Sequence, residues 1–161
     1  MKRIYQSLTG ILLSILTMNS YASDDYFQTQ LGLAMVDTYN LGFVMTAGYG
    51  MQLPGLHKYL SMETELASPF ISPSKNTTER RIFYTVGEYL VYSLPFSANA
   101  NMRVRAGVNY VVTESPTNTS SFQLGIGFGL SYKLAERKLL LLDFTDINDI
   151  SYIVAGVQLL Y

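Results

Sequence analysis

The stretch Leu124–Tyr132 reads LGIGFGLSY and places a glycine between large apolar residues at every second position. Successive side chains of a β-strand point to opposite faces, so this spacing predicts a strand with one bulky apolar face and one face of small residues. A dinucleotide-binding loop is excluded, because that motif needs G-x-G-x-x-G at a turn between a strand and a helix. The apolar face points either into the core of a soluble β-sandwich or outward to the lipid around a membrane barrel. The rest of the chain must distinguish these two folds.

The first 22 residues have the pattern of a secretory signal peptide. Lys2 and Arg3 precede an apolar run at 11–18, and small residues occupy the first and third positions of Ser20-Tyr21-Ala22. The apolar run is too short for a membrane-spanning helix, which needs about 20 residues. We therefore predict cleavage after Ala22 and a single domain over residues 23–161.

Charge and cysteine content exclude several classes of function. Without Lys2 and Arg3, nine of the eleven basic residues remain against twelve acidic ones, which argues against nucleic acid as a partner. The chain has no cysteine, so a disulfide scaffold, a thiolate metal site and a cysteine nucleophile are excluded. No metal-ligand spacing is found, and we expect neither a metal nor a cofactor.

Eight segments of alternating character follow the signal, and most are about ten residues long, the length that a tilted strand needs to cross a bilayer. Residues typical of turns separate them. The segments are Tyr26–Val36, Leu41–Gln52, Tyr59–Pro69, Ile82–Leu94, Met102–Thr113, Phe122–Leu134, Lys138–Thr145 and Ser151–Tyr161.

One face of these segments is apolar, and the other carries glycine, glutamine and isolated charges. The charged residues assigned to the second face are Glu63, Glu65, Glu88, Arg103, Arg105 and Lys133. Glycine weakens a strand face exposed to water without any gain, whereas it leaves room for long side chains inside a narrow closed barrel. The sequence thus predicts an all-β, eight-stranded antiparallel up-and-down transmembrane barrel with its apolar face outward.

The alternation has exceptions. Val44, Val111, Val154 and Leu160 are apolar residues on the polar face. The fourth segment is ambiguous, since placing Glu88 inward sends Phe83 and Tyr89 outward and turns Val86 and Leu90 inward.

Aromatic residues are predicted to form two girdles, as in outer-membrane barrels. One rim would collect Tyr26, Phe27, Tyr49, Tyr59, Tyr92, Phe96, Tyr132 and Tyr161, and the other Tyr39, Phe43, Phe70, Phe83, Tyr110, Phe122, Phe144 and Tyr152.

The six inward charges are expected to form a lumen charge network. Arg103 and Arg105 would pair with some of Glu63, Glu65 and Glu88, and Glu88 is the nearest acid along the sheet. Such a network could be a gate or a set of salt bridges that fills the lumen. We favour the structural interpretation, because an eight-stranded barrel encloses little space and a buried charge needs a partner for folding alone.

In these features the chain resembles the small eight-stranded outer-membrane barrels of the OmpA/OmpX type. Val157, Leu159 and the terminal Tyr161 alternate as in the C-terminal assembly signal of that family, and the stretch Arg103–Tyr110 is similar to fifth strands of such barrels. The resemblance implies a bacterial outer membrane, contact with its lipid and lipopolysaccharide, and insertion by the barrel assembly machinery. It also implies termini in the periplasm and odd-numbered connections outside.

Three functions remain open. The first is a non-enzymatic envelope or surface-contact role, with 71–81 as the longest and most charged outer connection. The second is a lipid-modifying barrel enzyme, but the single histidine, His57, is predicted in a periplasmic turn. A carboxylate pair from Asp143, Asp146 and Asp149 is conceivable, although we interpret these residues as a solvated strand end and hairpin. The third is a soluble lipocalin-like periplasmic barrel, which would place apolar residues inside.

Overall fold

The computed structural model describes residues 25–75, 79–114 and 118–161. The predicted signal peptide, 1–22, lies outside these ranges and stays a prediction. The strands are β1 (Asp25–Val36), β2 (Gly42–Gln52), β3 (Leu60–Ile71), β4 (Phe83–Pro95), β5 (Ala100–Thr113), β6 (Thr119–Ala135), β7 (Lys138–Ile147) and β8 (Ile150–Leu160). Among the described residues there is no helix of the length and apolarity needed to cross a membrane.

Each strand pairs antiparallel with its neighbours in sequence, and β1 pairs with β8 to close the sheet. The closing register runs from Tyr26 opposite Leu160 to Val36 opposite Ile150. Closure gives every strand edge a hydrogen-bonded partner, which hydrocarbon requires because it contains no water to satisfy a free N–H. The predicted fold class, a closed antiparallel barrel of eight strands, is confirmed.

The two ends of the barrel differ. The start of β1 and the end of β8 lie at one end of the barrel, called the terminal end, with the short turns 53–59, 96–99 and 136–137. The opposite end, called the loop end, carries the described residues of the other four connections, 37–41, 72–75 with 79–82, 114 with 118, and 148–149. Three of the four loop-end connections are tied together. Asn40 N–H donates to the Ser74 carbonyl at 2.8 Å, Asp37 N–H donates to the Asp149 carbonyl at 3.2 Å, and Arg81 forms a 2.5 Å ion pair with Asp149.

The outer wall of the barrel is apolar, as predicted. In β6, Leu124 and Phe128 are 77% and 62% exposed, while Gly125, Gly127 and Gly129 point inward. Large apolar side chains are exposed in the same alternating manner on the other strands, among them Leu31, Met45, Leu66, Leu90, Val104, Leu140 and Ile153.

Inside the barrel, an apolar layer fills the loop end of the lumen. It consists of Ala34, Val36, Val44, Ala67, Phe83, Val111, Ile147, Ile150, Tyr152 and Val154, with Tyr39 packed against it. Val44, Val111 and Val154, which break the alternation in the sequence, all belong to this layer. These exceptions therefore mark the position where the lumen changes from polar to apolar.

The prediction for β4 was wrong. Phe83 and Tyr89 point inward and are buried, whereas Glu88 and Leu90 point outward. The inward face of β4 places the Phe83 ring in the apolar layer and the Tyr89 ring beside Arg105. In this orientation the Tyr89 hydroxyl also donates to Asn109 Oδ1 at 2.6 Å, and these inward contacts would be lost if the faces of β4 were exchanged.

Candidate functional site: the charged lumen

Arg103 occupies the part of the lumen nearer the terminal end, between Glu63 on β3 and Asp143 on β7. Its Nη1 donates to Asp143 Oδ2 at 3.0 Å, and its Nη2 contacts Glu63 Oε1. The Tyr26 hydroxyl donates to the same Glu63 oxygen at 2.6 Å, and Gln30 Nε2 donates to Asp143 Oδ2 at 2.7 Å. Every one of these bonds joins strands that are two positions apart, so the side chains reach across the lumen.

Arg105 forms a second layer closer to the apolar residues. Its Nη1 and Nη2 donate to the two carboxylate oxygens of Glu65 at 2.8 and 3.1 Å, the bidentate geometry that makes arginine–carboxylate pairs strong. Arg105 also contacts the Thr145 hydroxyl, and its guanidinium lies 4.4 Å from the Tyr89 ring centroid. The Tyr152 hydroxyl donates to Glu65 Oε1 at 2.6 Å.

The two layers hold three carboxylates and two guanidinium groups, all almost fully buried. Glu63 is 0% exposed and Arg105 is 2% exposed. The carboxylates therefore outnumber the guanidinium groups by one. Hydroxyl and amide groups that donate hydrogen bonds to Glu63, Glu65 and Asp143 stabilise the additional negative charge. Because each buried charge has several partners, the arrangement suits a fixed filling of the barrel better than a group that exchanges protons or ions.

The inward glycines of β6 supply the space for these side chains. A Cβ added to Gly127 would lie 3.0 Å from the Cγ and Nε atoms of Arg105, and one added to Gly129 would overlap the Asp143 carboxylate. At Gly125 an added Cβ would overlap Asn109. The alternating glycines of β6 therefore leave the space that the side chains of the charge network occupy.

The structure brings four of the six sequence-predicted charges together, namely Glu63, Glu65, Arg103 and Arg105, and leaves two outside. Glu88 faces outward, so the expectation of an inward Glu88 paired with an arginine was wrong. Lys133 is exposed at the terminal end of β6, where its N–H bonds the Asn99 carbonyl at 2.7 Å, so its place in the network was also wrong. At the rim its ammonium group keeps its hydration, which the lumen would remove.

Sequence reasoning missed three principal members of the network. Asp143 is 1% exposed and binds Arg103, so its interpretation as part of a solvated strand end was wrong. Tyr26 and Tyr152 were assigned to the girdles but point inward and donate to Glu63 and Glu65. The period of two contained the signal for Asp143, since it shares a face with buried Leu141 and alternates with outward apolar residues.

The carboxylates considered for catalysis do not meet. Asp143 is held in the lumen, Asp146 accepts from the Ser151 hydroxyl at 2.5 Å, and Asp149 pairs with Arg81. Within the described ranges no three histidine, aspartate or glutamate side chains are grouped so as to hold a metal ion.

His57 lies exposed in a turn at the terminal end, as the strand count predicts. Its Nδ1 accepts from the Tyr59 N–H at 3.3 Å, and its ring centroid lies 5.5 Å from that of Tyr59 and 5.3 Å from that of Tyr92. The contacts given for His57 are thus with two tyrosines, Tyr59 and Tyr92, at this rim of the barrel.

The C-terminal residues Val157, Leu159 and Tyr161 are exposed on the outer wall at the end of β8. Their role as an assembly signal stays a prediction.

Comparison with known proteins places the fold. No known family matches the sequence, and no curated protein matches it. Neisserial surface protein A is 16% identical, with 84% of this chain and 96% of that chain covered and a TM-score of 0.62. The attachment invasion locus protein Ail of Yersinia pestis is 10% identical, covering 86% and 98%, with a TM-score of 0.60. The outer membrane protein OprG of Pseudomonas aeruginosa is 10% identical, covering 88% and 97%, with a TM-score of 0.65. The chain has the fold of the small eight-stranded outer-membrane barrels, so the suspected resemblance is confirmed at the level of fold.

Proposed function

We propose that this chain is an integral outer-membrane protein of a Gram-negative bacterium with a non-enzymatic role in envelope structure or surface contact. The observation that carries the proposal is the inverted distribution of polarity. Charged residues such as Glu63 and Arg105 are buried in the centre, whereas large apolar residues such as Leu124 cover the wall. A soluble lipocalin-like barrel needs the opposite arrangement, with apolar residues inside and charged residues facing water, because charged side chains are almost never fully buried unless they are paired.

The lumen charge network acts in this proposal as the structural core of the barrel and conducts no ions. Each arginine is fixed by carboxylates on strands two positions away, and the apolar layer around Phe83, Ile147 and Ile150 fills the lumen at the loop end. The tight packing of Gly127 and Gly129 against the network supports the same role.

The non-enzymatic part of the proposal rests on how the polar residues are used. The three aspartates considered for catalysis each bind a different partner in a different place, and His57 lies at the opposite end from the loops. The loop end, with exposed Lys75 and Arg80, is the surface proposed for contact. Lipid and lipopolysaccharide would cover the apolar wall, and the barrel assembly machinery would read Val157, Leu159 and Tyr161.

Fractionation and gel mobility test the proposal. The protein, expressed with its natural N-terminus in a Gram-negative host, should require detergent for extraction, and unheated and boiled samples should migrate differently in SDS gels. Solubility in plain buffer with identical migration would contradict the membrane location. A change in the mass spectrum of lipid A on expression would contradict the non-enzymatic role.

A further inference from the structure

The loop-end part of β6 extends beyond its neighbour β7. The last pair of the β6–β7 ladder joins Ile126 to Asp146, and β7 ends at Ile147, whereas β6 begins at Thr119. Among the described residues, the backbone of 119–125 is paired with β5 alone. This segment of β6 therefore has an open edge on the side of the β7–β8 turn.

The peptide groups that point to this open edge can be identified from the ladder. The Lys133 N–H donates to the Asn99 carbonyl at 2.7 Å, so Lys133 directs its backbone groups to the β5 side. Successive residues of a strand direct their N–H and C=O groups to opposite sides, and the β5–β6 register is continuous up to Thr119. Ser120, Phe122 and Leu124 therefore direct three N–H and three C=O groups to the open edge.

The open edge lies partly at the depth of the apolar band. Phe122 and Leu124 are exposed on the outer wall, and the Phe122 ring packs against the Tyr110 ring with centroids 5.0 Å apart. Aromatic residues mark the interfaces of a membrane barrel, which the chain is proposed above to be. At about 3.3 Å per residue and a tilt of about 40°, Leu124 lies about 5 Å inside that interface. Hydrocarbon offers these backbone groups no partner, so the edge needs a polar occupant.

Asp146 and Ser151 form the floor of this notch. Both side chains point outward at the loop-end limits of β7 and β8, and the Ser151 hydroxyl donates to Asp146 Oδ1 at 2.5 Å. Because Asp146 is paired with Ile126, four residues from Phe122, its carboxylate lies about 5–10 Å inside the interface. Within the described residues Oδ2 has no hydrogen bond or ion pair, and it is not enclosed, since Asp146 is partly exposed.

An apolar groove continues from the notch along the outer wall towards the middle of the barrel. Its volume is about 630 Å³, within the range of about 300–1,000 Å³ that is typical of ligand sites. The residues that line it on the outer face are Val104, Ala106, Ile126, Phe128, Phe144 and Asp146. The notch and the groove together offer hydrogen-bonding groups at one end and apolar contact below.

We propose that the notch and the groove bind an outer-leaflet lipid whose acyl chains carry amide or hydroxyl donors, as in the lipid A part of lipopolysaccharide. One acyl chain lies in the groove, and its amide and hydroxyl groups donate to Asp146 Oδ2 and to the free carbonyls of Phe122 and Leu124. The carbonyl oxygens of the lipid accept from the free N–H groups of the same two residues. This inference rests on the proposed outer-membrane location and adds a specific lipid site to it.

Other occupants satisfy the notch less well. A phospholipid with ester-linked chains, such as phosphatidylglycerol, carries acceptors but no donor at this depth, and Asp146 repels its phosphate. A strand of a soluble protein would have to enter the apolar band to reach Leu124. A second copy related by a twofold axis along the membrane normal would cross β6 at about 80°, twice the strand tilt, whereas paired strands lie within about 35° of each other.

Lipid retention by matched groove variants tests the site. Ala106 lines this groove on β5 and Ala47 lines a separate groove on β2, so Ala106→Phe and Ala47→Phe are matched substitutions. The barrel is reconstituted with equal mole fractions of lipid A and phosphatidylglycerol, extracted in mild detergent and analysed by native mass spectrometry. We expect the unaltered barrel to retain about fivefold more lipid A, the factor that one additional net hydrogen bond supplies. Ala106→Phe and Asp146→Leu should each remove that preference, and Ala47→Phe should keep it.

Equal retention of the two lipids by the unaltered barrel, which water or ordinary acyl chains in the notch would produce, overturns the inference. A preference that survives Ala106→Phe or Asp146→Leu, or that is lost in Ala47→Phe, overturns it as well, because lipid A is then held elsewhere. The heat-dependent gel shift is recorded for every sample, and its absence in the unaltered chain counts against the proposed membrane barrel itself. Where a variant alone lacks the shift, the milder substitutions Ala106→Leu, Asp146→Ala and Ala47→Leu replace it, with the same expected and contradicting results.

Discussion

Replacing Arg105 with methionine removes one cation from the centre of the lumen and leaves Glu65 without its main partner. Arg105 holds both oxygens of Glu65 at 2.8 and 3.1 Å, and Glu65 is 1% exposed. The Tyr152 hydroxyl would remain as a donor to Glu65, but it carries no compensating charge. Removing one partner of a buried ion pair typically costs about 3–5 kcal/mol, so we expect Arg105→Met to lower the free energy of unfolding by about 4 kcal/mol.

A double variant separates the loss of charge pairing from the loss of packing. In Arg105→Met/Glu65→Gln no buried charge is left alone, and the glutamine can still accept from Tyr152. Because a buried pair replaced by neutral groups of similar volume often costs little, most of the lost stability should return. Urea titration of the barrel in lipid vesicles, followed by the SDS-gel shift, measures both variants. With a urea dependence of about 2 kcal/mol per molar, the single variant should lower the midpoint by about 2 M.

Lys133→Met, at an exposed rim position, is the control and should change the free energy of unfolding by no more than about 0.5 kcal/mol. The reasoning is refuted if Arg105→Met is as stable as the unaltered barrel or more so, or if the double variant recovers nothing. Either result would show that the pair is not a folding device.

Three further predictions follow from the same structure. Cysteine placed at Asn118 should react with an impermeant thiol reagent on intact cells and cysteine at His57 should not, because the two lie at opposite ends of the barrel; the reverse pattern would invert the orientation. Gly129→Ala should lower the free energy of unfolding by about 1–3 kcal/mol because its Cβ overlaps the Asp143 carboxylate, whereas Gly55→Ala, with open space around it, should not destabilise; equal effects in urea titration would contradict this. The purified barrel in a planar lipid bilayer should show no steady single-channel steps, since its lumen is filled, and reproducible steps would favour a gate.

The fold was predictable because its main signal is local. A period of two over segments of about ten residues fixes which residues share a face, and the number of segments then fixes the barrel. The prediction failed at β4, where both faces carry apolar residues and one carries a carboxyl. There the choice depends on long-range packing of Phe83 and Tyr89 against other strands, which no local pattern contains.

Which residues pair with one another in the lumen was less predictable than which residues point into it. Arg103 and Arg105 were expected to face inward and to pair with some of Glu63, Glu65 and Glu88. They face inward and pair across the lumen with Glu63 and Glu65, whereas Glu88 lies outside the lumen and Asp143 was not expected as a partner. Which residues reach one another across a barrel depends on the stagger between strands, and the stagger is a property of the closed sheet. Asp143 could have been found from its alternation with Leu142 and Phe144, whereas the inward turn of Tyr26 could not, since tyrosine is common at both rims and in the lumen.

The central claim, that polar side chains fill the barrel while the apolar face meets lipid, is tested most directly by tryptophan quenching. The chain contains no tryptophan, so each substituted residue is the sole probe. Leu90→Trp and Tyr89→Trp place the indole ring on opposite faces of β4, at adjacent positions of the strand whose orientation was hardest to predict. In vesicles containing brominated acyl chains, Leu90→Trp should be strongly quenched and Tyr89→Trp weakly. Strong quenching of Tyr89→Trp together with protection of Leu90→Trp would contradict the account.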